Sequence, residues 1–210
     1  MRARPPTSSV SSITGTDPRP EPDGGPGSVR MARPGDATAM ATVHVASWRA
    51  AYRGLLPDDY LAGLSVEERA ASWSGILADP APGQVLVVEL DGRIVGFAHV
   101  GPSGDDDAGP DTGELYTIYV LPDAWGRGHG WALMEAALER LRADGYAGVT
   151  LWMLSTNDRA RRFYLRQGWS VTAGQRTQEF GGQEVTDHRF GLALDTGGHP
   201  PVQIFSRPSQ

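Results

Sequence analysis

The chain has 210 residues, of which 40% are hydrophobic, and its formal net charge at pH 7 is -6. This length and composition suffice for one domain-sized core, and the acidic balance argues against general nucleic-acid binding, which needs a basic surface to displace counterions. The absence of cysteine excludes a disulfide framework, a thiolate metal site and a cysteine nucleophile. All 19 basic residues are arginine, which excludes a P-loop lysine and a lysine Schiff base.

The two ends of the chain differ in composition from its middle. Residues 1–28 are crowded with Pro, Gly, Ser and Asp, too poor in apolar groups to offset the entropy of ordering, and are predicted to be a disordered tail. Residues 195–210 are predicted to be a flexible tail, which leaves one domain over residues 29–194. No apolar stretch approaches the roughly 20 residues that cross a bilayer, and the N-terminus lacks a signal-peptide core. We therefore expect a cytoplasmic protein without a membrane partner.

The first part of the domain predicts a strand, two helices and a hairpin. VRMARPGD is typical of a short strand, after which Asp36 is placed to cap a helix. The residues on one side of that helix are Met40, Val43, His44, Trp48 and Ala51. The next segment, GLLPDDYLAGLSVEERAASWSGIL, predicts a turn and a second helix. In QVLVVELDGRIVGFAHV, the Asp91-Gly92 pair predicts a two-residue turn between strands.

The central segment combines a strand, a glycine-rich turn and a helix. The strand ELYTIYVLP runs into WGRGHG, and the helix after it has an apolar stripe at i, i+3, i+4, i+7 spacing. A turn with bare backbone amides at a helix start favours a pyrophosphate or similar anion. Gly126, Gly128 and Gly130 alternate and the next strand ends without an acid, so a dinucleotide fold is disfavoured. We therefore predict a phosphorylated cofactor on another kind of turn.

The last part predicts a buried strand, a helix and two antiparallel strands. GVTLWML is a near-continuous apolar run, typical of a strand covered on both faces. In STNDRARRFYLRQGW, Asn157, Ala160, Phe163 and Tyr164 fall at helical spacing on one face, and Gly168 supplies the left-handed position after the helix. WSVTAGQRTQEF and QEVTDHRFGLAL then favour two antiparallel strands.

Two motifs in this order resemble the acetyl-CoA binding core of the GNAT superfamily of N-acetyltransferases. They are V-x-P-x-x-W-G-R-G-H-G-x-A-L, from Val120, and N-x-x-A-x-x-F-Y-x-x-x-G-W, from Asn157. The resemblance covers Val29 to Leu194 and implies an α/β (α+β) fold, with a central mixed, mostly antiparallel, twisted sheet of about seven strands flanked by about four helices. One departure is Trp125, where the family pattern usually has Gln or Arg. Because this loop binds phosphate mainly through backbone amides, the change should matter little, and the role of the indole stays open.

The resemblance implies acetyl-CoA as the acetyl donor and no metal. The pantetheine arm would pair with the strand before the turn, where one backbone amide would meet the thioester oxygen. Asn157 would reach the pantetheine, and Tyr164 would donate a proton to the sulfur. The remaining implied residues are Ile118, Tyr119 and Val120 for the pantetheine; Gly126, Arg127, Gly128, His129, Gly130 and Trp131 for the pyrophosphate; and Trp48, Tyr52, Leu55 and Leu56 for part of the acceptor pocket.

Each of these roles has a structural alternative. The glycines could serve only a tight strand-to-helix connection, which explains one or two of them but less readily three. Tyr164 could be a core aromatic, although its spacing from Asn157 and Ala160 favours the acid. Trp48 and Tyr52 share a helix face and could be core.

Acetyl transfer requires a neutral amine, because an alkylamine with a pKa of about 10.4 is almost wholly protonated at neutral pH. Glu114 on the core strand is the best-placed base, directly or through water, and an exposed strand glutamate explains it about equally well. Weaker candidates, whose usual role is structural or at the surface, are Asp187, His188 and His99. Three arginines could approach the nucleotide end of CoA, although such a cluster more often forms a solvated helix face: Arg159, Arg161 and Arg162.

We therefore predict an acyl-CoA-dependent N-acetyltransferase that moves an acetyl group from acetyl-CoA to a primary amine by direct attack in a ternary complex. The expected partners are acetyl-CoA and a small-molecule or peptide amine, and the protein is expected to be a monomer or a homodimer. Two alternatives stay open: a noncatalytic acyl-CoA-binding sensor or scaffold, and an enzyme that acetylates protein N-termini. All of these use the same cofactor residues.

Overall fold

Seven strands and five helices make up the described part of the chain. The computed structural model describes residues 27–79 and 83–195, so the predicted tails lie outside it except for residues 27, 28 and 195. The strands are β1 (Ser28–Met31), β2 (Gln84–Leu90), β3 (Arg93–Pro102), β4 (Thr112–Val120), β5 (Gly148–Leu154), β6 (Ser170–Phe180) and β7 (Gln183–Ala193). The helices are α1 (Ala37–Ala51), α2 (Asp58–Ala62), α3 (Val66–Ala78), α4 (His129–Ala143) and α5 (Asp158–Arg166).

The seven strands form one mixed sheet in the order β1-β2-β3-β4-β5-β7-β6. Neighbouring strands are antiparallel except β4 and β5, which run parallel. The predicted mixed, mostly antiparallel sheet is confirmed. The segment predicted as a turn and one helix contains two helices, because the Ser65 hydroxyl accepts a hydrogen bond from the Glu68 amide at 3.2 Å and caps a new helix, α3.

The parallel pair β4 and β5 separates soon after it forms. Thr112–Glu114 pairs with Gly148–Thr150. Beyond that point Leu115–Val120 continues to pair with β3, and Leu151–Leu154 with β7, but within the described residues these two stretches do not pair with each other. The space between them is called the β4/β5 groove below. Among the described residues, one edge of β4 in the middle of the sheet therefore has no strand partner beyond Glu114.

Helices cover both faces of the sheet. A Cβ on Gly113 would lie 2.8 Å from Leu141 Cδ2, so Gly113 faces α4. On the other face the ring of Tyr119 lies 4.8 Å from that of His44 on α1. Since side chains alternate along a strand, Glu114 lies on the α1 face. In the described residues, no helix is long and apolar enough to cross a membrane.

Two local predictions have different outcomes. Asp91 and Gly92 both have positive φ, 51° and 77°, which confirms the tight turn between β2 and β3. The predicted cap at Asp36 is wrong in its chemistry: Asp36 precedes α1, but its side chain makes no capping bond to that helix. Its carboxylate instead accepts from the Arg33 amide at 2.7 Å and from Arg30, which ties the 3-10 turn Pro34–Asp36 to β1.

Candidate active site

The unpaired edge of β4 presents backbone groups to the β4/β5 groove. The Leu121 amide donates to the Val95 carbonyl of β3 at 2.8 Å. Because backbone groups alternate between the two edges of a strand, the amides of Ile118 and Val120 point into the groove, while the amide of Tyr119 points to β3. Two of the three strand residues predicted to pair with pantetheine therefore offer amides at this edge.

The carbonyl of Val120 at the same edge is already occupied. Ser47 Oγ on α1 donates to it at 2.9 Å, and the indole Nε1 of Trp125 donates to it at 2.6 Å. A carbonyl oxygen has two lone pairs, so both are used. The groove edge thus offers two N–H donors, from Ile118 and Val120, while the Val120 carbonyl is taken by side chains of this chain. Ser47 was missed from the sequence because no motif ties a helix serine to a strand carbonyl 73 residues away.

The glycine-rich turn forms a helix start suited to an anion. Gly126 and Gly128 adopt left-handed φ values of 75° and 82°, and Gly128 is the residue immediately before α4. Gly130 instead lies within the first turn of α4. The first helical bond runs from Ala132 N to Gly128 O at 3.0 Å, and no side chain of residues 27–79 or 83–195 caps this end of α4. The start of α4 is therefore suited to bind an anion through the amides of its first turn.

His129, the first residue of α4, is buried. Its two ring nitrogens have no hydrogen-bond partner among residues 27–79 and 83–195. Burial, with a smaller contribution from Arg127, lowers the pKa of His129. The imidazole is therefore neutral at pH 7 and can donate one hydrogen bond and accept another.

The helix α5, which follows β5, carries two of the residues predicted for the site. Asn157 occupies the cap position of α5, where its Oδ1 accepts from the Ala160 amide at 3.0 Å. Its Nδ2 is buried, with no acceptor in the described part of the chain. Tyr164 is fully buried, and its ring packs 5.8 Å from Trp169 and 6.0 Å from Phe190 on β7. Asn157 therefore has a free donor beside its structural role.

Glu114 is fully buried, so the alternative of an exposed strand glutamate is wrong. Its Oε2 accepts from the Gly104 amide at 3.1 Å, in the loop that follows β3. That loop is anchored over β5 and β7 because Asp105 Oδ1 accepts from Trp152 Nε1 at 3.0 Å, and Arg189 forms ion pairs with Asp105 and Asp107 at 3.4 and 2.5 Å. The sequence places these acids in a loop without indicating that the loop covers Glu114.

The aromatic residues predicted for the acceptor pocket belong to a larger buried cluster. The rings of Trp48 and Tyr52 lie 4.9 Å apart, and Trp48 lies 5.7 Å from Phe180 on β6. Tyr60 on α2 lies 5.4 Å from Phe180. Trp48 and Tyr52 are fully buried. They therefore form part of the core on the α1 face of the sheet and expose no surface to solvent. The β6–β7 hairpin closes onto this part of the core, and Gln183 donates to the Leu55 carbonyl at 3.2 Å.

The three weaker acid–base candidates differ in how deeply their side chains are buried. Asp187 is fully buried, and its Oδ2 accepts from Arg176 Nε at 3.1 Å and from Gln178. Its Oδ1 has no partner in the described ranges, and burial raises the pKa of Asp187. Burial lowers the pKa of His99 to about 4. His188 lies near Gln175 in an exposed contact. Among these three residues, Asp187 has the burial and the spare oxygen expected of a substrate-binding acid.

The three predicted arginines of α5 also differ in their solvent exposure. Arg161 and Arg162 are exposed and fit a solvated helix face. Arg159 is partly buried, and its guanidinium carbon lies 4.3 Å from the centre of the Trp125 ring. Trp125, the residue that departs from the family pattern, thus caps a strand carbonyl and supports an arginine. In the described residues, no group of three His, Asp or Glu side chains could hold a metal ion.

Comparisons with known proteins identify the family of this chain. A model of the acetyltransferase (GNAT) family matches residues 46–169, more than half of the chain. YuaI of Bacillus subtilis, an uncharacterised N-acetyltransferase, is 34% identical over 129 residues, which are 61% of this chain and 72% of that protein. An uncharacterised N-acetyltransferase of Mycobacterium tuberculosis is 30% identical over 154 residues, 73% of this chain and 94% of that protein.

Solved structures share the architecture at lower identity. A ribosomal-protein-alanine N-acetyltransferase from Brucella melitensis has a TM-score of 0.62 at 22% identity, over 80% of this chain and 99% of that chain. PaiA N-acetyltransferase from Thermoplasma acidophilum, solved in complex with coenzyme A, has a TM-score of 0.63 at 17% identity, over 79% and 98%. At these identities the likeness shows the fold alone. The family match and the sequence relatives go further, and the chain belongs to the GNAT family of acetyltransferases.

Proposed function

We propose that this protein is an N-acetyltransferase that moves an acetyl group from acetyl-CoA to a primary amine by direct attack in a ternary complex. The observation that carries the proposal is the β4/β5 groove, which runs along inward-pointing amides and ends at a helix start that no side chain of the described residues caps. An extended chain with amide groups fits the strand edge, and a diphosphate fits the helix start. CoA carries both groups in one molecule.

The hydrogen-bond donors of the groove match the groups that CoA carries. Ile118 and Val120 supply backbone donors, Asn157 supplies the buried Nδ2, and the Val120 carbonyl is already taken by Ser47 and Trp125. The left-handed glycines Gly126 and Gly128 shape the turn that would hold the pyrophosphate. When bound, acetyl-CoA supplies a thioester that an amine can attack. One of the two groove amides would stabilise the oxygen of that thioester as negative charge develops.

Two proton transfers are assigned to residues of this chain. Tyr164, buried on α5 next to β7, is the proposed acid for the departing sulfur. Glu114, buried on the α1 face of β4, is the proposed base for the amine. Asp187 on the same sheet is the second candidate for the base, because its Oδ1 has no partner among the described residues. An acidic, aromatic-walled acceptor side favours an amine with an apolar body.

The proposal is tested by calorimetry of the parent protein with acetyl-CoA and CoA, followed by an acceptor screen that follows free thiol release. The screen includes arylalkylamines, aliphatic amines and peptides with a free N-terminus, each beside its N-acetylated form as a control. We expect binding of both CoA forms and thiol release with at least one free amine. Binding without release by any amine would support the sensor or scaffold, and the absence of CoA binding would overturn the proposal. Release with peptides alone would support acetylation of protein N-termini.

A further inference from the structure

Trp125 is held in a fixed orientation at the end of β4. Its indole Nε1 donates to the Val120 carbonyl at 2.6 Å, and Ser47 donates to the same oxygen. Ser47 is 1% exposed and lies on α1, and Trp125 is partly buried and packs against the core. The indole plane therefore has little freedom to turn, and its outward face stays available to another side chain.

The guanidinium of Arg159 stacks on that face of the Trp125 ring. Its guanidinium carbon lies 4.3 Å from the ring centre, within the range of a cation–π contact. Stacking uses the flat face of a guanidinium and leaves the N–H donors around its edge for other partners. Within residues 27–79 and 83–195, no carboxylate forms an ion pair with Arg159.

The position of Arg159 is electrostatically unfavourable unless an anion is present. It lies in the first turn of α5, where the helix dipole disfavours a cation. Burial, and the neighbouring charge of Arg162, lower the pKa of Arg159, which shows that its surroundings disfavour the charged form. Arg159 is partly buried at a helix start and has no acid partner in the described part of the chain, so a bound anion would stabilise it.

The stack also joins the two sides of the β4/β5 groove. Trp125 follows β4 and Arg159 follows β5, so their contact crosses the groove where these strands have separated. It does so next to the glycine turn and the uncapped start of α4. An anion bound at that turn would lie close to the edge of the guanidinium.

We propose that Arg159, held on the face of Trp125, is a phosphate-binding residue for the nucleotide end of the cofactor, and that Trp125 positions it. The inference rests on the proposed function, because the phosphate belongs to CoA. It assigns a role to the residue that departs from the family pattern: the indole keeps the arginine extended across the groove. Either the pyrophosphate or the 3′-phosphate of CoA could be the group recognised, and both present the same chemistry.

The test is calorimetry of Arg159→Gln with three probes: CoA, dephospho-CoA, which lacks the 3′-phosphate, and pantetheine, which lacks all phosphates. Loss of a charged hydrogen-bond partner should weaken CoA binding about 10- to 100-fold and leave pantetheine binding within about twofold. A loss that persists with dephospho-CoA assigns Arg159 to the pyrophosphate, and a loss that disappears assigns it to the 3′-phosphate. The matched control is Arg161→Gln, the same charge change on an exposed residue two positions away, which should stay within about twofold for every probe.

The part played by Trp125 is tested by a double-mutant cycle. Trp125→Leu removes the aromatic face, so it should weaken CoA binding in the parent but add little in the Arg159→Gln background. Trp125→Phe keeps a ring and should lose less, which separates the loss of the stack from damage to the fold. Thermal unfolding of each variant checks that the protein is folded.

Three outcomes would overturn the inference. They are CoA affinity of Arg159→Gln within about twofold of the parent, an equal loss for pantetheine, and an equal loss in Arg161→Gln. Fully additive effects of Trp125→Leu and Arg159→Gln would remove Trp125 from the inference. A parent protein that fails to bind CoA would overturn the proposed function itself, so the two failures are distinguishable.

Discussion

Tyr164 and Glu114 carry the proton transfers of the proposed reaction, and both are fully buried. Burial makes a hydroxyl or a carboxylate sensitive to its few fixed partners, because water is not there to replace them. Single-atom changes at these two residues should therefore alter the chemistry more than the fold.

For Tyr164→Phe we expect turnover to fall about 10- to 1000-fold, with little change in acetyl-CoA affinity. The variant removes one hydroxyl and keeps the ring that packs against Trp169 and Phe190. The measurement is the rate constant under conditions where chemistry limits turnover, with calorimetry of acetyl-CoA beside it. An unchanged rate constant would assign Tyr164 to packing.

For Glu114→Gln we expect activity to fall at neutral pH and to recover in part as the pH rises toward the pKa of the amine, about 10. At high pH the amine arrives already deprotonated and needs no base. The measurement is the pH–rate profile of the variant beside those of the parent, Asp187→Asn and Glu184→Gln, an exposed acid on β7 that serves as the control. A profile of Glu114→Gln parallel to the parent, with a shifted profile for Asp187→Asn, would move the base to Asp187.

At the scale of elements, the strands and the tight turn between β2 and β3 follow from local patterns. Asp91-Gly92 predicts its turn because both positions need positive φ. The apolar runs predict β4 and β5, but their separation after Glu114 depends on which edges pair with β3 and β7. This pairing is a tertiary interaction, and so are the hydrogen bond from Ser47 to the Val120 carbonyl and the hydrogen bond from the Gly104 amide to Glu114. Sequence patterns predict contacts between residues a few positions apart. They did not predict these contacts, because the residues that form them are distant in the chain.

For Gly128→Asp we expect the loss of measurable acetyl-CoA binding in a protein that still folds. Gly128 has φ 82° just before α4, a conformation that Asp adopts more readily than most residues. The new carboxylate would stand where the helix start favours a phosphate, so it competes with the ligand and repels it. The measurement is calorimetry with a thermal unfolding control. Gly92→Asp is the matched variant, because Gly92 has φ 77°, its Cβ would meet no atom within 4 Å, and it lies in the β2–β3 turn; unchanged affinity in Gly128→Asp would contradict the assignment.

At the scale of the whole molecule, the buried His44 and the partly buried His99 link stability to pH. Burial lowers the pKa of His44 from 6.5 to about 3, and that of His99 to about 4. His44 also accepts a hydrogen bond from Trp73 Nε1 at 3.3 Å, which requires a neutral nitrogen. Below pH 6.5 the unfolded chain takes up protons that the folded protein refuses, so stability falls as the pH falls. Asp187, whose pKa burial raises, acts in the opposite direction.

We therefore expect the free energy of unfolding to be highest above pH 6.5 and to fall between pH 6.5 and 5, by on the order of 1 to 2 kcal/mol for each of His44 and His99. Urea unfolding at a series of pH values measures this, and His44→Gln is the decisive variant, because glutamine keeps an acceptor for Trp73 and cannot take up a proton in this range. The variant should be less stable than the parent at pH 7, yet lose less stability between pH 6.5 and 5. Comparing the two slopes cancels the opposing contribution of Asp187, which both proteins share. If the two proteins lose the same free energy over this interval, His44 is not a source of the acid sensitivity, and the core around Tyr119 tolerates its charged form.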